Sequence, residues 1–389
     1  MTIRTSILLA ASAWAMPFPA VAQIAVSAND GKQLRPGEAA ATRVPDSVSI
    51  IDLGQTPPRT VGMVLAPTSM IGPPTSVAVA PDESFALVTA AQQLEGGNIV
   101  KGDVISVIDL SRPASPRVIQ TLNVASGASG VAINDAGTLA MVAGTGDDSI
   151  SIFSISGKKL SLIKKVRLDY QSRPTDVTFS PDGKSAYAVA QTTGAIVRLS
   201  IAGQQVERVG TPITPGVSPY GVTIGRDGRF AFNTNLGGAV RPSNAPRGDS
   251  GATIGTVSVI DLQSGALANS VEVGMTPEHV ALSPDGKYLA VVVANGSAAP
   301  VSSPTYHDHG LMKIFAVDGS TLTPAGEART GAWCQGAAWS KDNRRILLQC
   351  ALTREIEVYN YDGTTLVRDS RATLKFAARP GAISTAADR

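Results

Sequence analysis

One phrase recurs along the chain, and its recurrence limits the possible folds more than any other feature. The phrase reads PEHVALSPDGKYLAVVVA at 277–294, and related copies begin at residues 74, 128, 174, 219 and 334. A partial copy, RPGAISTAADR, ends the chain, with its repeat starting at residue 380. Successive starts lie 54, 46, 45, 58, 57 and 46 residues apart. Repeats of this length are typical of folds built from one supersecondary unit used many times.

Each copy predicts four short strands. A first strand such as VAL is followed by the turn SPDGK, in which Pro presets φ, Asp bonds its own backbone and Gly accepts a positive φ. A second strand such as YLAVVVA follows, then a third such as VISVIDL at 104–110, and then a fourth such as RVIQTLNV at 117–124. Four strands in every 45–58 residues indicate the blades of a β-propeller.

The number of copies predicts seven blades. Six are complete, and the pieces at the two ends make the seventh: the C-terminus supplies an innermost strand that ends near Asp388, and segments 25–31, 48–53 and 60–67 supply the other three strands. A blade shared by both termini closes the ring and leaves no free sheet edge. We therefore expect an all-β, seven-bladed propeller with four antiparallel strands per blade, forming a single domain over residues 23–389.

The SPDGK-type turns, phrases such as VSVIDL and strand ends such as VAVA or VAN resemble those of the YVTN-repeat seven-bladed propellers. That group includes lactonase-like propellers and periplasmic proteins without an assigned activity. The resemblance covers nearly all of the chain after residue 22 and implies the propeller fold. For function it implies lactone chemistry as one possibility, but a shared fold supports many functions, so a site has to carry the argument.

Residues 1–22 have the layout of a secretory signal peptide. Arg4 precedes an apolar run from Ile7 to Met16, and Ala20-Val21-Ala22 forms a small-x-small cleavage site. We expect a periplasmic or secreted protein without a membrane span, because no apolar run is long enough for one. The formal net charge is +2 with no basic cluster, which argues against nucleic-acid binding. We expect a monomer.

Three blades carry extra residues between their second and third strands, at 92–103, 236–255 and 295–310. In a propeller these loops rise on the face where the innermost strands begin. The three histidines of the chain converge on this face, because His279 starts an innermost strand and His307 and His309 lie in the loop of the same blade. Three interpretations stay open: incidental polar loop residues, proton transfer by imidazole, or a divalent metal held by the three imidazoles with Asp308 or Glu278.

Other side chains that break the repeat are predicted at the same channel mouth. They comprise two arginines, two aromatic residues and a carboxylate, namely Arg173, Arg379, Tyr220, Trp333 and Asp176. Arginines with aromatic neighbours suit a small anionic ring-shaped ligand. The alternative is that both arginines pair with nearby carboxylates and only cap strands. Arg241, Arg247 and Asp249 on the longest insertion could cover this mouth.

The two cysteines, Cys334 and Cys350, flank one inner hairpin whose turn centres on Asp342. They should face each other across the hairpin, and an oxidising compartment favours a disulfide between them. A nucleophilic cysteine near His279 is the alternative.

Two functions from different classes remain. One is a lactonase-like enzyme that opens or isomerises a ring, with His279 and Glu278 as catalytic residues and with Arg173, Arg379, Tyr220, Trp333, Asp176, His307 and His309 binding the substrate. No cofactor is predicted, with a divalent metal as the alternative. The other is a non-catalytic propeller whose loops bind a ligand or a partner protein. The sequence contains no G-x-S-x-G, Walker, C-x-x-C-H or H-E-x-x-H motif that would decide between them.

Overall fold

The computed structural model describes residues 23–34, 38–70, 72–124, 126–239 and 254–387. The predicted signal peptide, Asp388 and the proposed lid residues Arg241, Arg247 and Asp249 lie outside these ranges. In chain order the strands are β1 (Ile24–Asp30), β2 (Ser47–Asp52), β3 (Arg59–Leu65), β4 (Val77–Val79), β5 (Phe85–Glu95), β6 (Asn98–Asp109), β7 (Arg117–Asn123), β8 (Ala128–Ile133), β9 (Leu139–Gly144), β10 (Ser149–Ser156), β11 (Lys159–Arg167), β12 (Pro174–Phe179), β13 (Ser185–Ala190), β14 (Ala195–Ala202), β15 (Gln205–Ile213), β16 (Pro219–Ile224), β17 (Phe230–Asn235), β18 (Gly255–Asp261), β19 (Ala266–Gly274), β20 (Pro277–Leu282), β21 (Tyr288–Val293), β22 (Gly310–Asp318), β23 (Thr321–Thr330), β24 (Cys334–Trp339), β25 (Arg345–Cys350), β26 (Glu355–Tyr361), β27 (Leu366–Arg368), β28 (Leu374–Lys375) and β29 (Arg379–Thr385).

These strands form seven antiparallel sheets arranged as the blades of a propeller, which confirms the predicted fold. Blades 1 to 6 are β4–β7, β8–β11, β12–β15, β16–β19, β20–β23 and β24–β28, and in blade 6 β27 and β28 both pair with β26. Blade 7 has the order β29-β1-β2-β3, so both termini share it as predicted. Single-turn 3₁₀ helices lie at Ala40–Thr42, Gly237–Ala239 and Ser370–Ala372. No helix of the described residues is long and apolar enough to span a membrane.

The repeated turn closes each inner hairpin by the bonds its residues predict. In blade 3, Asp182 accepts hydrogen bonds from the Ser180 hydroxyl at 2.6 Å and from the Lys184 N–H at 3.0 Å, and Gly183 has φ of +66°. This φ lies in the left-handed region, which glycine adopts without steric cost. The same serine–aspartate bond closes the turns of blades 5 and 6.

The apolar core lies between blades rather than at the centre of the ring. Each blade packs its apolar residues against those of the next, as Phe232 of blade 4 does with Val280 and Leu289 of blade 5. The innermost strands β4, β8, β12, β16, β20, β24 and β29 contact one another in that order and surround a central channel. We call the end where these strands begin the start face, and the end where their hairpins turn, as at 180–184, the turn face.

Candidate functional site

The central channel contains a cavity of about 290 Å³ lined by the innermost strands. Its inner end is polar and is formed by Thr75, Asp176 and His279, while Asp135 and Arg226 border it at the turn face. Asp135 and Arg226 are exposed, whereas Asp176 and His279 are 1% and 8% exposed. The cavity is therefore reached from the turn face and ends at two titratable side chains.

This direction differs from the predicted one. At the start face Met70 and Gln335 are only 3% and 2% exposed, and a Cβ on Gly381 would lie 2.9 Å from the Cβ of Met70. The segment before β4 thus packs onto the channel end where a mouth was expected. The described lining of the cavity does not include Arg173, Tyr220, Trp333 or Glu278, so Asp176 and His279 are the residues predicted at the mouth that line the cavity.

Asp176 occupies the third position of its innermost strand, where neighbouring blades carry Gly130 and Gly221. Its carboxylate accepts hydrogen bonds from the Thr75 hydroxyl at 2.7 Å, the Val177 N–H at 2.9 Å and the Val222 N–H at 3.0 Å. Burial outweighs these bonds and raises the pKa of Asp176 to about 6. No cation is among the causes of this shift, so near neutral pH the side chain is a buried carboxylate that readily takes up a proton.

The glycine of blade 2 makes room for this carboxylate. A Cβ on Gly130 would lie 2.6 Å from Oδ1 of Asp176, which is closer than real Cβ contacts come. Glycine at the third strand position of blade 2 is therefore a packing requirement of the Asp176 carboxylate. The same position in blade 5 is His279, and Gly336 follows in blade 6.

His279 is a neutral ring whose basic nitrogen is occupied. Its Nδ1 accepts a hydrogen bond from the backbone N–H of Ala337 at 3.2 Å, and burial lowers the pKa of the imidazole to about 4. A neutral ring that accepts at Nδ1 carries its proton on Nε2. His279 is therefore arranged as a hydrogen-bond donor towards the cavity, which argues against its predicted role as the general base.

Arg379 does not serve as a free anion receptor. It is 3% exposed, and its Nη2 donates to both oxygens of Glu38 at 2.6 Å, while Nη1 donates to the carbonyl of Ala351. Arg354 lies 3.6 Å from the same Glu38. Arg379 thus follows the alternative stated above, in which the arginine pairs with a carboxylate. Its partner, Glu38, lies in the β1–β2 connection, which the repeat alignment did not suggest.

Arg173, Tyr220 and Glu278 lie near one another at the start face. The pKa of Tyr220 is raised well above its usual value, first by burial and then by the nearby charge of Glu278, while Arg173 acts in the opposite direction. Tyr220 is therefore a neutral phenol. Arg173 and Trp333 both have left-handed backbones, with φ of +49° and +48°, at the residue preceding an innermost strand.

The three histidines do not form one cluster. His307 is exposed, and its ring centroid lies 6.1 Å from that of His309, whose Nδ1 is 2.6 Å from Oδ1 of Asp308. Within the described ranges, the ligand atoms of Cys334, Cys350 and Glu357 are the ones that approach within 4.8 Å of each other. The three imidazoles, the alternative metal ligands, are therefore not among the described groups that approach one another this closely.

The sulfurs of Cys334 and Cys350 are bonded to each other, and the two residues are paired across the inner hairpin of blade 6. Both are fully buried. Neither is available as a nucleophile, so the alternative of a reactive thiol beside His279 does not describe this structure.

Sequence reasoning assigned Asp176 to substrate binding but missed the central cavity that this residue lines. It also missed Thr75, which donates to this carboxylate from blade 1, two blades away. An available signal was the third strand position, where aspartate and histidine stand among three glycines, one serine and one alanine.

Comparison with known proteins supports the same architecture. A family model described as "Lactonase, 7-bladed beta-propeller" matches residues 88–201. Antigen Lp49 of Leptospira interrogans is 34% identical over 109 residues, which are 28% of this chain and 23% of that protein. The chain thus aligns with less than a quarter of the length of this curated relative.

Two solved structures cover almost the whole chain. The periplasmic gluconolactonase of Pseudomonas aeruginosa has a TM-score of 0.67 at 16% identity, covering 94% of this chain and 99% of that one. A Bacteroides uniformis protein provisionally assigned as a 6-phosphogluconolactonase has a TM-score of 0.71 at 15% identity, covering 93% and 99%. At these identities the likeness establishes the fold alone.

Proposed function

We propose that this protein is a hydrolase of small lactones and that the reaction takes place in the central cavity. The observation that carries the proposal is the buried carboxylate of Asp176, whose pKa of about 6 places it close to neutral pH at the closed end of the cavity. Perturbed carboxylates in concave sites are typical of acid–base catalysis. The lactonase-type family match and the lactonase-like fold support the choice of reaction.

In the proposed reaction Asp176 is the general base. Its ionised carboxylate accepts a proton from water, and the resulting hydroxide attacks the lactone carbonyl carbon. The Nε2–H of His279 donates to the developing oxyanion. The ring C–O bond then breaks, and the leaving alkoxide takes the proton back from Asp176. Atoms and charge balance without a cofactor.

The cavity favours a substrate of about one sugar ring. A volume of 290 Å³ lies near the lower end of small-molecule sites. At the inner end the polar groups are the Thr75 hydroxyl, the neutral imidazole and the carboxylate of Asp176, which would repel an anion. We therefore assign the lactone ring to the inner end, and we place any anionic group of the substrate towards Arg226 at the turn face.

We further propose that the protein works outside the cytoplasm. The signal-peptide pattern of residues 1–22 and the buried disulfide support this placement. The printed description of the Pseudomonas aeruginosa gluconolactonase as periplasmic agrees with it. Fractionation of the expressing cells would test it, since the proposal requires the processed protein in the periplasm or medium.

The proposed activity is tested by hydrolysis of δ-gluconolactone in a pH-stat, with wild type and the Asp176→Asn variant. We expect wild type to exceed the uncatalysed rate and the variant to lose most of the excess. Asp52→Asn, a turn carboxylate of blade 7, is the matched control and should retain full activity. Saturable lactone binding without turnover by wild type would instead favour the non-catalytic ligand-binding propeller.

A further inference from the structure

Blade 3 breaks the repeat at a position that is otherwise part of the apolar core. On the third strand of each blade, one residue pairs with the middle of the second strand, as Arg198 pairs with Tyr187 in blade 3. In the other six blades the equivalent residue is a valine or isoleucine that is 1% exposed or less: Ile50, Val107, Ile152, Val259, Ile314 and Val358. Arg198 is exposed instead. A charged residue has replaced a core position in this blade alone.

The exposed side chain lines a groove of about 590 Å³ between blades 3 and 4. At its inner end the groove shares Pro181 and Arg226 with the border of the central cavity. It continues past Tyr187 and Arg198 on the second and third strands and reaches the β18–β19 turn at Leu262. The order of these elements from the ring axis outwards means that the groove runs radially from the open end of the cavity.

Three guanidinium groups line this groove. Among the described residues, the hydroxyl of Ser185 is what Arg198 donates to, from Nε and Nη2 at 3.3 and 3.1 Å. Arg229 is 60% exposed at its side chain, and its Nη2 lies 3.5 Å from Asp261. Arg226 donates to the carbonyl of Ala387. Exposed guanidinium groups with spare N–H donors are the usual receptors for carboxylates and phosphates.

Two carboxylates also line the groove, and both are engaged by their own turns. Asp182 accepts from Ser180 and Lys184, and these bonds lower its pKa. Asp227 accepts the backbone N–H of Arg229 at 3.0 Å. Arg229 is paired with Asp261, which lies just outside the lining. Among the described residues no ion pair joins Arg198 to a carboxylate, and its guanidinium contacts the neutral hydroxyl of Ser185. The charge of Arg198 therefore points to an anionic ligand.

We propose that this groove is a binding site for an anionic chain, in which carboxylate or phosphate groups follow one another from the cavity opening towards Arg198. Its use as an extension of the catalytic site rests on the proposed lactone function, because the two places share Pro181 and Arg226. Anion binding in the groove does not depend on catalysis, and it can be measured without turnover.

The test is calorimetric titration of the protein without its predicted signal peptide, residues 23–389. The titration is done at low salt with two probes in separate experiments, tripolyphosphate and tri-glutamate. The decisive variant is Arg198→Ile, which restores the residue type of the sister blades and should fold at least as stably as wild type. We expect saturable binding of one probe by wild type and weakening of at least about tenfold in the variant, equivalent to about 1.4 kcal/mol. The probe that binds identifies phosphate or carboxylate as the recognised group.

Arg371→Ala is the matched control, because Arg371 is also exposed but lies on a short 3₁₀ helix away from the groove. It should bind like wild type. Arg229→Ala is a second groove variant and should also weaken binding, which covers the case that Arg198→Ile folds poorly. Equal affinity in wild type and both groove variants, or no binding of either probe by wild type, would overturn the proposal. A failed lactonase assay would leave this result unaffected.

Discussion

The buried pair at the end of the cavity should give the protein two opposing pH dependences of stability. Burial raises the pKa of Asp176 from 3.8 to about 6, so the folded state binds this proton more tightly than the unfolded state. The contribution of Asp176 is therefore greatest below pH 3.8 and is lost as the pH rises through 6. The full shift corresponds to roughly 3 kcal/mol.

His279 acts in the opposite direction. Burial lowers its pKa from 6.5 to about 4, so the unfolded state binds this proton more tightly. The folded state loses stability as the pH falls from 6.5 towards 4, again by roughly 3 kcal/mol in total. In wild type the two dependences largely cancel, and they become visible only when one group is removed.

The perturbation is therefore a pair of near-isosteric variants, Asp176→Asn and His279→Asn, each studied from pH 7 to pH 5. Over this interval, Asp176→Asn should lose about 1 kcal/mol of unfolding free energy relative to wild type, and His279→Asn should gain about 2 kcal/mol. Equilibrium urea unfolding followed by tryptophan fluorescence measures both, since Trp339 is fully buried. Parallel stability curves for all three proteins would refute the reasoning, because they would mean that neither group is buried as described.

Two further predictions concern the residues that shape the channel. Glu38→Gln should lower the unfolding free energy by about 3 kcal/mol, because Arg379 would stay buried without its charged partner. A thermal denaturation midpoint equal to that of wild type would contradict this prediction. Gly130→Ala should reduce both stability and lactone hydrolysis, because the added Cβ would lie 2.6 Å from the carboxylate of Asp176. In Gly326→Ala the nearest atoms lie at 3.5 Å, so this control should behave like wild type in both assays.

The fold could be predicted almost entirely from the sequence because its information is local and repeated. Each SPDGK-type turn defines a hairpin, and the strands on either side follow from it, so six copies specify six blades. The seventh follows from ring closure, which the pairing of β1 with β29 confirms. The loops of unequal length did not disturb this inference, because they lie between strands whose register the turns had already determined.

The site was only partly predictable, because its accessibility depends on contacts between distant segments. The strand position identified Asp176 and His279 as exceptions to the repeat, and the structure brings both to one cavity. The sequence analysis placed the ligand site at the start face, whereas the cavity is bordered at the turn face by Asp135 and Arg226. At the start face Met70 packs against Gly381, a contact that no repeat pattern indicates. The engagement of Arg379 by Glu38 likewise joins segments that are 341 residues apart.

The proposed role of His279 as a donor instead of a base depends on a contact that the sequence does not show. A sequence indicates that an imidazole is present, but its tautomer depends on which groups approach its two nitrogens. Here a backbone N–H of the next blade occupies Nδ1. That contact depends on how blades 5 and 6 pack, and it turns the expected base into a donor.

The central claim is that Asp176 accepts a proton during lactone hydrolysis in the cavity. The most direct test is the pH profile of kcat/KM for δ-gluconolactone, because the ionised carboxylate is the active form. Wild type should show a rate that rises with pH to a plateau, with a midpoint near the Asp176 pKa of about 6. Asp176→Asn should lose both the rate and the midpoint. Hydrolysis by the folded variant at the wild-type rate, with the same midpoint, would contradict the claim.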